Sequence, residues 1–199
     1  ESSRLMAEKL ISAGFSVEYP YLGLPTAFKA VKASPACAQK KPVVAIMAEY
    51  DALPEIGHGC GHNLHGTMAL YAGLAVGEAI GETAGEIRVI GTPAEETDGA
   101  KVQMADAGIF DDVDLAFMFH SYAGESFADY RALGIDGLEF TFTGQTSHSA
   151  ASPWKGRSAQ NGMLLFMDGL NMLRLHMHDY CRMHAIIKEV RGAVNIIPD

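Results

Sequence analysis

The sequence predicts an α/β fold for its first part and a smaller α+β module after it. Three observations carry this reading. Short continuous apolar runs rich in β-branched residues, "VVAIMAEY" (43–50) and "EIRVIGT" (86–92), mark strands buried on both faces. Helical segments alternate with them, the pattern that builds a sheet covered by helices. After residues 123–130 the register changes: "YRALGIDGLEFTFTGQ" alternates, with Glu139, Thr141 and Thr143 on one face, as in an antiparallel sheet with one side in water. Residues 1–125 are therefore expected as one domain and 126–199 as a second.

Each element has its own signal. Residues 2–13 read as a helix closed by Gly14. "FSVEYP" and "TAFKAVKAS" alternate like strands around the turn "LGLP". "PACAQKKP" reads as a loop, followed by the buried strand 43–50 and the Gly-rich loop "DALPEIGHGCG". A helix is expected over 62–80, a buried strand over 86–92, a helix over 98–107 closed by Gly108, and a third buried strand over 113–120. In the second module "SAQNGMLLFMDGLNMLRLHM" reads as a helix and "MHAIIKEVRGAVNIIPD" as one or two strands.

Composition narrows the classes of partner. The 199 residues are 48% hydrophobic and 20% charged, an ordinary globular balance. Fifteen basic against 24 acidic residues leave a net charge of −9 with no Lys/Arg block, which argues against nucleic acid and anionic membranes as partners. No apolar run is long enough to span a bilayer, and no basic-then-apolar leader opens the sequence. Cys37, Cys60 and Cys181 are odd in number and far apart, so a reducing, cytoplasmic setting is expected rather than a disulfide framework.

The chemistry gathers at strand ends. Strand 43–50 runs into Asp51, strand 86–92 into Glu95 and Glu96, strand 113–119 into His120, and helix 62–80 is entered through Cys60 and His62. In open α/β sheets, sites form beyond the carboxyl ends of strands. Taken singly, each residue has an ordinary role: a free Cys is commonly a small buried hydrophobe, and "EE" suits a helix start. His65, one turn after His62, reads as a core or hydrogen-bonded imidazole. Together, Cys60, His62, one of the acids Glu95 and Glu96, and His120 form a mixed S/N/O donor set suited to Zn²⁺ or another late first-row ion rather than Mg²⁺ or Ca²⁺. A thiolate can bridge, so two ions are allowed as well as one. One of the adjacent acids can hold metal while the other takes a proton from bound water, the division of labour of amide hydrolysis.

The blocks "AEYDALPEIGHGCGHN", "GTPAEETDGAKVQM", "FDDVDLAFMFH", "FTGQTSHSAASPWKGRSA" and "EVRGAVNIIPD" resemble, in order, the signatures of metallopeptidase family M-twenty, subfamily D. This is the branch of aminoacylase-like and aminobenzoyl-glutamate hydrolase-like amidohydrolases. The resemblance implies a zinc-peptidase-like catalytic domain, with a mixed sheet flanked by helices, and a ferredoxin-like module for dimerisation or as a lid, both incomplete. It implies metal ligands at Cys60, His62, Glu96 and His120, a general base at Glu95, and support of the metal centre by Asp51. His148 matches a histidine that reaches the neighbouring subunit's active site to steady the oxyanion, and Asn195 matches a substrate contact. Arg191 is a candidate for a substrate carboxylate. One or two divalent ions per subunit are implied, zinc first, with manganese, cobalt or nickel as alternatives. The implied substrate is a small N-acyl amino acid, an aminobenzoyl-glutamate-like conjugate or a dipeptide, and the implied assembly is a homodimer or higher oligomer. Family members are longer, and their catalytic domain resumes after the small module to supply one more histidine ligand. The sequence is thus expected to be a fragment. The rival reading is a catalytically incompetent relative serving as a metal-binding or regulatory subunit.

Overall fold

The computed structural model describes residues 1–35, 42–81 and 84–199. Cys37 and most of the loop expected at "PACAQKKP" lie outside the described residues. The chain divides into two compact units, Glu1–Ser126 and Phe127–Asp199. Among the described residues no helix is long and apolar enough to cross a membrane.

The first unit opens with α1 (Ser2–Ser12), which turns at Gly14 into β1 (Ser16–Glu18) and the antiparallel β2 (Phe28–Ala33). There follow β3 (Val43–Ala48), α2 (His62–Ala79), β4 (Glu86–Gly91), α3 (Ala100–Asp106) and β5 (Leu115–Met118). The sheet order is β1-β2-β4-β3-β5. β3 is parallel to both β4 and β5, whereas β2 is antiparallel to β4. The sheet is therefore mixed, and the carboxyl ends of β3, β4 and β5 share one edge.

The two-residue period of the strands sorts the core into two layers. Ile46 and Ala48 of β3 and Ile87 and Val89 of β4 pack with Leu10 and Leu70 of α1 and α2. Ala45 and Ile90 face the other way, onto Met104 and Ile109 around α3. The expected element types hold here, with ends moved by one or two residues, as terminal hydrogen bonds decide. β5 is a correction. Its apolar run reads as a buried strand, yet Leu115, Phe117 and Met118 are exposed, because β5 is the sheet edge and neither core layer extends over it.

Arg88 is the polar exception in the central strand β4. Its side chain is buried, donating from Nε to Glu86 Oε1 at 2.7 Å and from both terminal nitrogens to the Asp112 carboxylate at 2.6 Å. This bidentate contact draws the Asp112 carboxyl down to about 2 and raises Arg88 further. Asp112→Ala should cost about 1–3 kcal/mol at neutral pH in denaturant melts, since a buried guanidinium loses its main acceptor. Asp112 is itself largely solvent-exposed, which holds the figure to the low end of buried ion pairs. A depressed folded pKa stabilises above the unfolded value of about 3.9 and ceases to do so as pH falls through the folded one. The gap between parent and variant should therefore shrink from about pH 4 down to about pH 2. A constant gap across that window would refute the pairing.

The second unit contains β6 (Ser147–His148), α4 (Ala159–Leu173) and β7 (Ile196–Ile197), with β6 and β7 antiparallel. The helix expected over 158–177 is α4, capped by Ser158 Oγ accepting from the Asn161 amide, and it gives way to a short 3₁₀ turn over Arg174–His176. Among the described residues, the longer strands expected at 130–145 and 183–199 do not form ladders outside β6 and β7. Their segments still meet: Lys188 pairs with Glu139 at 2.7 Å, and the rings of Phe140 and Phe142 pack at a tilt against Phe166 of α4. No large apolar side chain among the described residues of this unit is fully buried, so nothing locks a strand register by hiding one face.

Candidate metal centre

The shared edge of β3, β4 and β5 carries the predicted convergence. The chain leaves β3 through Glu49, Tyr50 and Asp51, and β4 through Thr92 to Glu95 and Glu96. It leaves β5 through His120 and Ser121. α2 delivers His62 from its first turn. Two glycines make that approach geometrically available. Gly61, with φ of 83°, turns the chain from Cys60 into the helix in a conformation L side chains avoid. A Cβ on Gly66 would stand 2.6 Å from the Glu49 carbonyl oxygen, so only glycine lets α2 lie this close to the end of β3. Ala94, with φ of 57°, holds the turn before the two acids, its carbonyl accepting from the Gly99 amide at 2.8 Å.

His62 is the hub. It is 1% exposed, and its Nδ1 lies 3.3 Å from Asp51 Oδ1. Asp51 Oδ2 in turn accepts from the Glu96 amide at 3.0 Å. Donation to Asp51 fixes the tautomer and leaves the Nε2 lone pair free. Around that nitrogen stand Glu49 Oε2 at 3.6 Å, Glu96 Oε1 at 3.8 Å and Glu95 Oε2 at 4.0 Å. None of these is a hydrogen bond. The Glu96 side chain is 14% exposed and that of Glu95 40%, so the first is enclosed and the second faces solvent.

His120 completes the set from β5. Its Nδ1 donates to the Ser121 carbonyl at 2.8 Å, which again leaves Nε2 free. Its ring stands 5.7 Å from that of His62 and 4.4 Å from that of His65. Glu96 foremost, with the charges of Glu95 and Asp51, pushes the Cys60 thiol pKa up. A cation would reverse that effect, because it stabilises the thiolate that the acids oppose. His58 of the same loop is exposed and joins neither donor group.

The residues fit a divalent ion. Glu49 Oε2, His62 Nε2, His65 Nδ1 and Glu96 Oε1 are buried and have no hydrogen-bond partner among the described residues. Three of them, Glu49 Oε2, His62 Nε2 and Glu96 Oε1, can present lone pairs, and each costs free energy unless something positive is bound among them. Two groups of donors lie within 4.8 Å of one another: Glu49 with His62, His65 and His120, and His62 with Glu95 and Glu96.

Sequence reasoning singled out Asp51, Cys60, His62, Glu95, Glu96 and His120; His62 gathers with Glu95 and Glu96 in one donor group and with His120 in the other, Asp51 faces His62 Nδ1, and Cys60 joins neither group. That reasoning passed over Glu49, although Glu49 and Asp51 stand two residues apart and an extended chain points such residues to the same side. It assigned His65 to the core. His65 is buried, and its Nε2 accepts from the Ser121 amide at 2.8 Å, but its Nδ1 is among the orphans. Burial and the neighbouring His120 and His62 lower its pKa, keeping it neutral.

In the second unit, His148 and Asn195 are neighbours. Ser149 donates to the Asn195 carbonyl at 2.9 Å, and His148 pairs with Ile196 in the β6–β7 ladder. The His148 Nδ1 accepts from the amides of Ala150 and Ala151 at 3.2 and 3.1 Å, which fixes the tautomer with the proton on Nε2. Arg191 is exposed and its guanidinium is held by Glu189.

A buried imidazole ringed by carboxylates at the carboxyl edge of a mixed sheet defines a candidate metal-binding α/β domain. Residues 45–164 match peptidase family M20/M25/M40, and the chain belongs to that family. It is 38% identical to the Xaa-Arg dipeptidase of Mus musculus over 193 residues, 94% of this chain and 44% of that protein. It is 36% identical to one of the chains of the p-aminobenzoyl-glutamate hydrolase of Escherichia coli (strain K12), across 96% of this chain and 43% of that one. The chain thus spans less than half the length of these relatives. Among solved structures, a protein from methicillin-resistant Staphylococcus aureus superposes on the whole chain with a TM-score of 0.71, 22% identity and 58% of its own length covered. The aminobenzoyl-glutamate utilization protein of Klebsiella pneumoniae superposes with a TM-score of 0.57, 17% identity, 99% of this chain and 58% of its own. At these identities the two structures bear on the fold alone.

Proposed function

We propose that this chain carries the metal-binding and proton-transferring half of a hydrolase that cleaves the amide bond of a small N-acyl amino acid, an aminobenzoyl-glutamate-like conjugate or a dipeptide. Cys60, His62, Glu96 and His120 would hold one or two divalent ions, zinc first and manganese, cobalt or nickel otherwise. Bound there, the metal would polarise the scissile carbonyl and acidify a water. Asp51 orients His62 through Nδ1. Glu95, the solvent-facing acid of the pair, takes the proton of the attacking water and hands it to the leaving amine. His148 of the partner subunit, with its proton on Nε2, donates to the developing oxyanion. Asn195 and Arg191 contact the substrate, Arg191 through a carboxylate. This role for the second unit implies a homodimer or larger assembly.

The observation that carries the reading is the His62 Nε2 lone pair, buried, without a hydrogen-bond partner and faced by three carboxylates within 4.0 Å. The names of the relatives choose the substrate panel: Xaa-Arg dipeptides, p-aminobenzoyl-glutamate and simple acyl-amino acids. The test measures metal per chain and hydrolysis of that panel, before and after chelation and after restoring Zn²⁺, Mn²⁺, Co²⁺ or Ni²⁺. Loss of turnover on chelation and its return with metal are expected. Stoichiometric metal with no hydrolysis of any amide would favour a binding or regulatory role instead.

A further inference from the structure

We propose that Glu49 is itself a ligand, meeting through Oε2 a cation held with it by His62 and His120, the imidazoles of its own donor group. The inference rests on the metal reading above and adds a carboxylate that neither the sequence motifs nor the family resemblance assigns.

Geometry carries it. Ligands bonded to a tetrahedral zinc at about 2.0–2.2 Å stand roughly 3.3–3.6 Å from one another. Glu49 Oε2 stands 3.6 Å from His62 Nε2, nearer than either Glu95 or Glu96. Both side chains are 1% exposed, and both atoms lack a hydrogen-bond partner among the described residues. If His62 kept its proton on Nε2, the pair would be a stretched ion contact, but Nδ1 already serves Asp51. Two inward-facing lone pairs, one on nitrogen and one on oxygen, repel unless a cation lies between them.

The rest of Glu49 is arranged for that role. Lys101 of α3 donates to Oε1, which fixes the carboxylate plane and leaves Oε2 turned to His62. Lys101 is thus a positioning residue. Its charge also offsets that of the buried Glu49. His65 belongs to the same donor group but is excluded as a ligand by its hydrogen bonds. Its Nε2 accepts from the Ser121 amide, so in the neutral ring the proton sits on Nδ1, and an N–H cannot bind a cation. His65 instead offers that N–H as a donor on the inner wall. Glu49 is left as the added ligand, and it closes the buried side of the site while Glu95 keeps the open side.

The test titrates the full chain with Zn²⁺ and Co²⁺, comparing the parent with Glu49→Gln, Glu49→Asp and Lys101→Met. Glu49→Gln keeps the shape and loses the charge, whereas Glu49→Asp keeps the charge and loses the reach. Both should weaken Zn²⁺ binding by about 100-fold or more, beyond what an outer partner typically controls. Both should also change the visible Co²⁺ spectrum, which reports ligand number and geometry. Lys101→Met should keep the Co²⁺ spectrum while losing about 10- to 100-fold in affinity, the range of a residue that orients a ligand. Should Glu49→Gln fail to fold by circular dichroism, Glu49→Asp decides alone. An unchanged Co²⁺ spectrum in the folded Glu49 variants overturns the proposal, even if affinity falls, because that result marks a residue acting through His62. A parent that binds neither ion sinks the metal reading itself, a different failure.

Discussion

Glu95→Gln should lower turnover of the best amide substrate by a factor of about 10²–10⁴ while leaving Zn²⁺ affinity near that of the parent. The two carboxylates of the pair are set apart by their surroundings. Glu96 is enclosed and has an orphaned oxygen turned to His62, whereas Glu95 is 40% exposed at the mouth of the same site. An enclosed acid facing a buried imidazole suits a ligand, and an open one within reach of solvent suits proton transfer. Glutamine preserves shape and hydrogen-bonding reach but cannot accept a proton at neutral pH, so binding and chemistry should separate. The measurement is steady-state hydrolysis beside zinc stoichiometry on the same preparation. A variant that hydrolyses at the parent rate, or that loses its zinc, would show that the roles of Glu95 and Glu96 have been drawn wrongly.

Gly66→Ala should disrupt the first unit strongly. Its Cβ would fall 2.6 Å from the carbonyl oxygen of Glu49 and 2.7 Å from Met6 Cε. The methionine can swing aside, but the carbonyl belongs to the chain leaving β3 and cannot. Ordinary contact begins at 3.4 Å, so α2 would have to retreat by roughly 0.8 Å. The retreat carries His62, one turn earlier on the helix, away from Asp51 and the acids. A cost of about 1–3 kcal/mol in stability is expected, with at least about a 10-fold loss in Zn²⁺ affinity. Thermal melting and zinc titration check both. Parent-like values in both would mean that the helix sits more loosely over β3 than described.

The site was largely legible because its parts are local to strand ends. Asp51, Glu95, Glu96 and His120 each follow an apolar run by a few residues, and a parallel sheet brings such positions to one edge. Glu49 was harder to see, since it sits inside the letters of the apolar run and reads as strand. Its importance depends on Lys101, 52 residues away, a pairing that no local pattern encodes. Arg88 hides in the same way, its partner Asp112 lying 24 residues along. β5 was misjudged because apolar content reports a capacity for burial, while sheet order decides whether anything covers the strand. The alternating segments of the second unit show the converse: alternation marks which side chains could share a face, but a ladder forms only where a core fixes the register.

Ala94 gives the loop before the acids a further property. A left-handed backbone at a residue with a Cβ costs about 1–2 kcal/mol, which glycine would not incur. Glycine there would also widen the range of shapes the "PAEE" turn can sample, so thermal robustness and catalytic aim pull in opposite directions at one methyl group. A search for hardier variants that scores melting temperature alone would be drawn to this position, and would loosen the aim of Glu95 and Glu96 there.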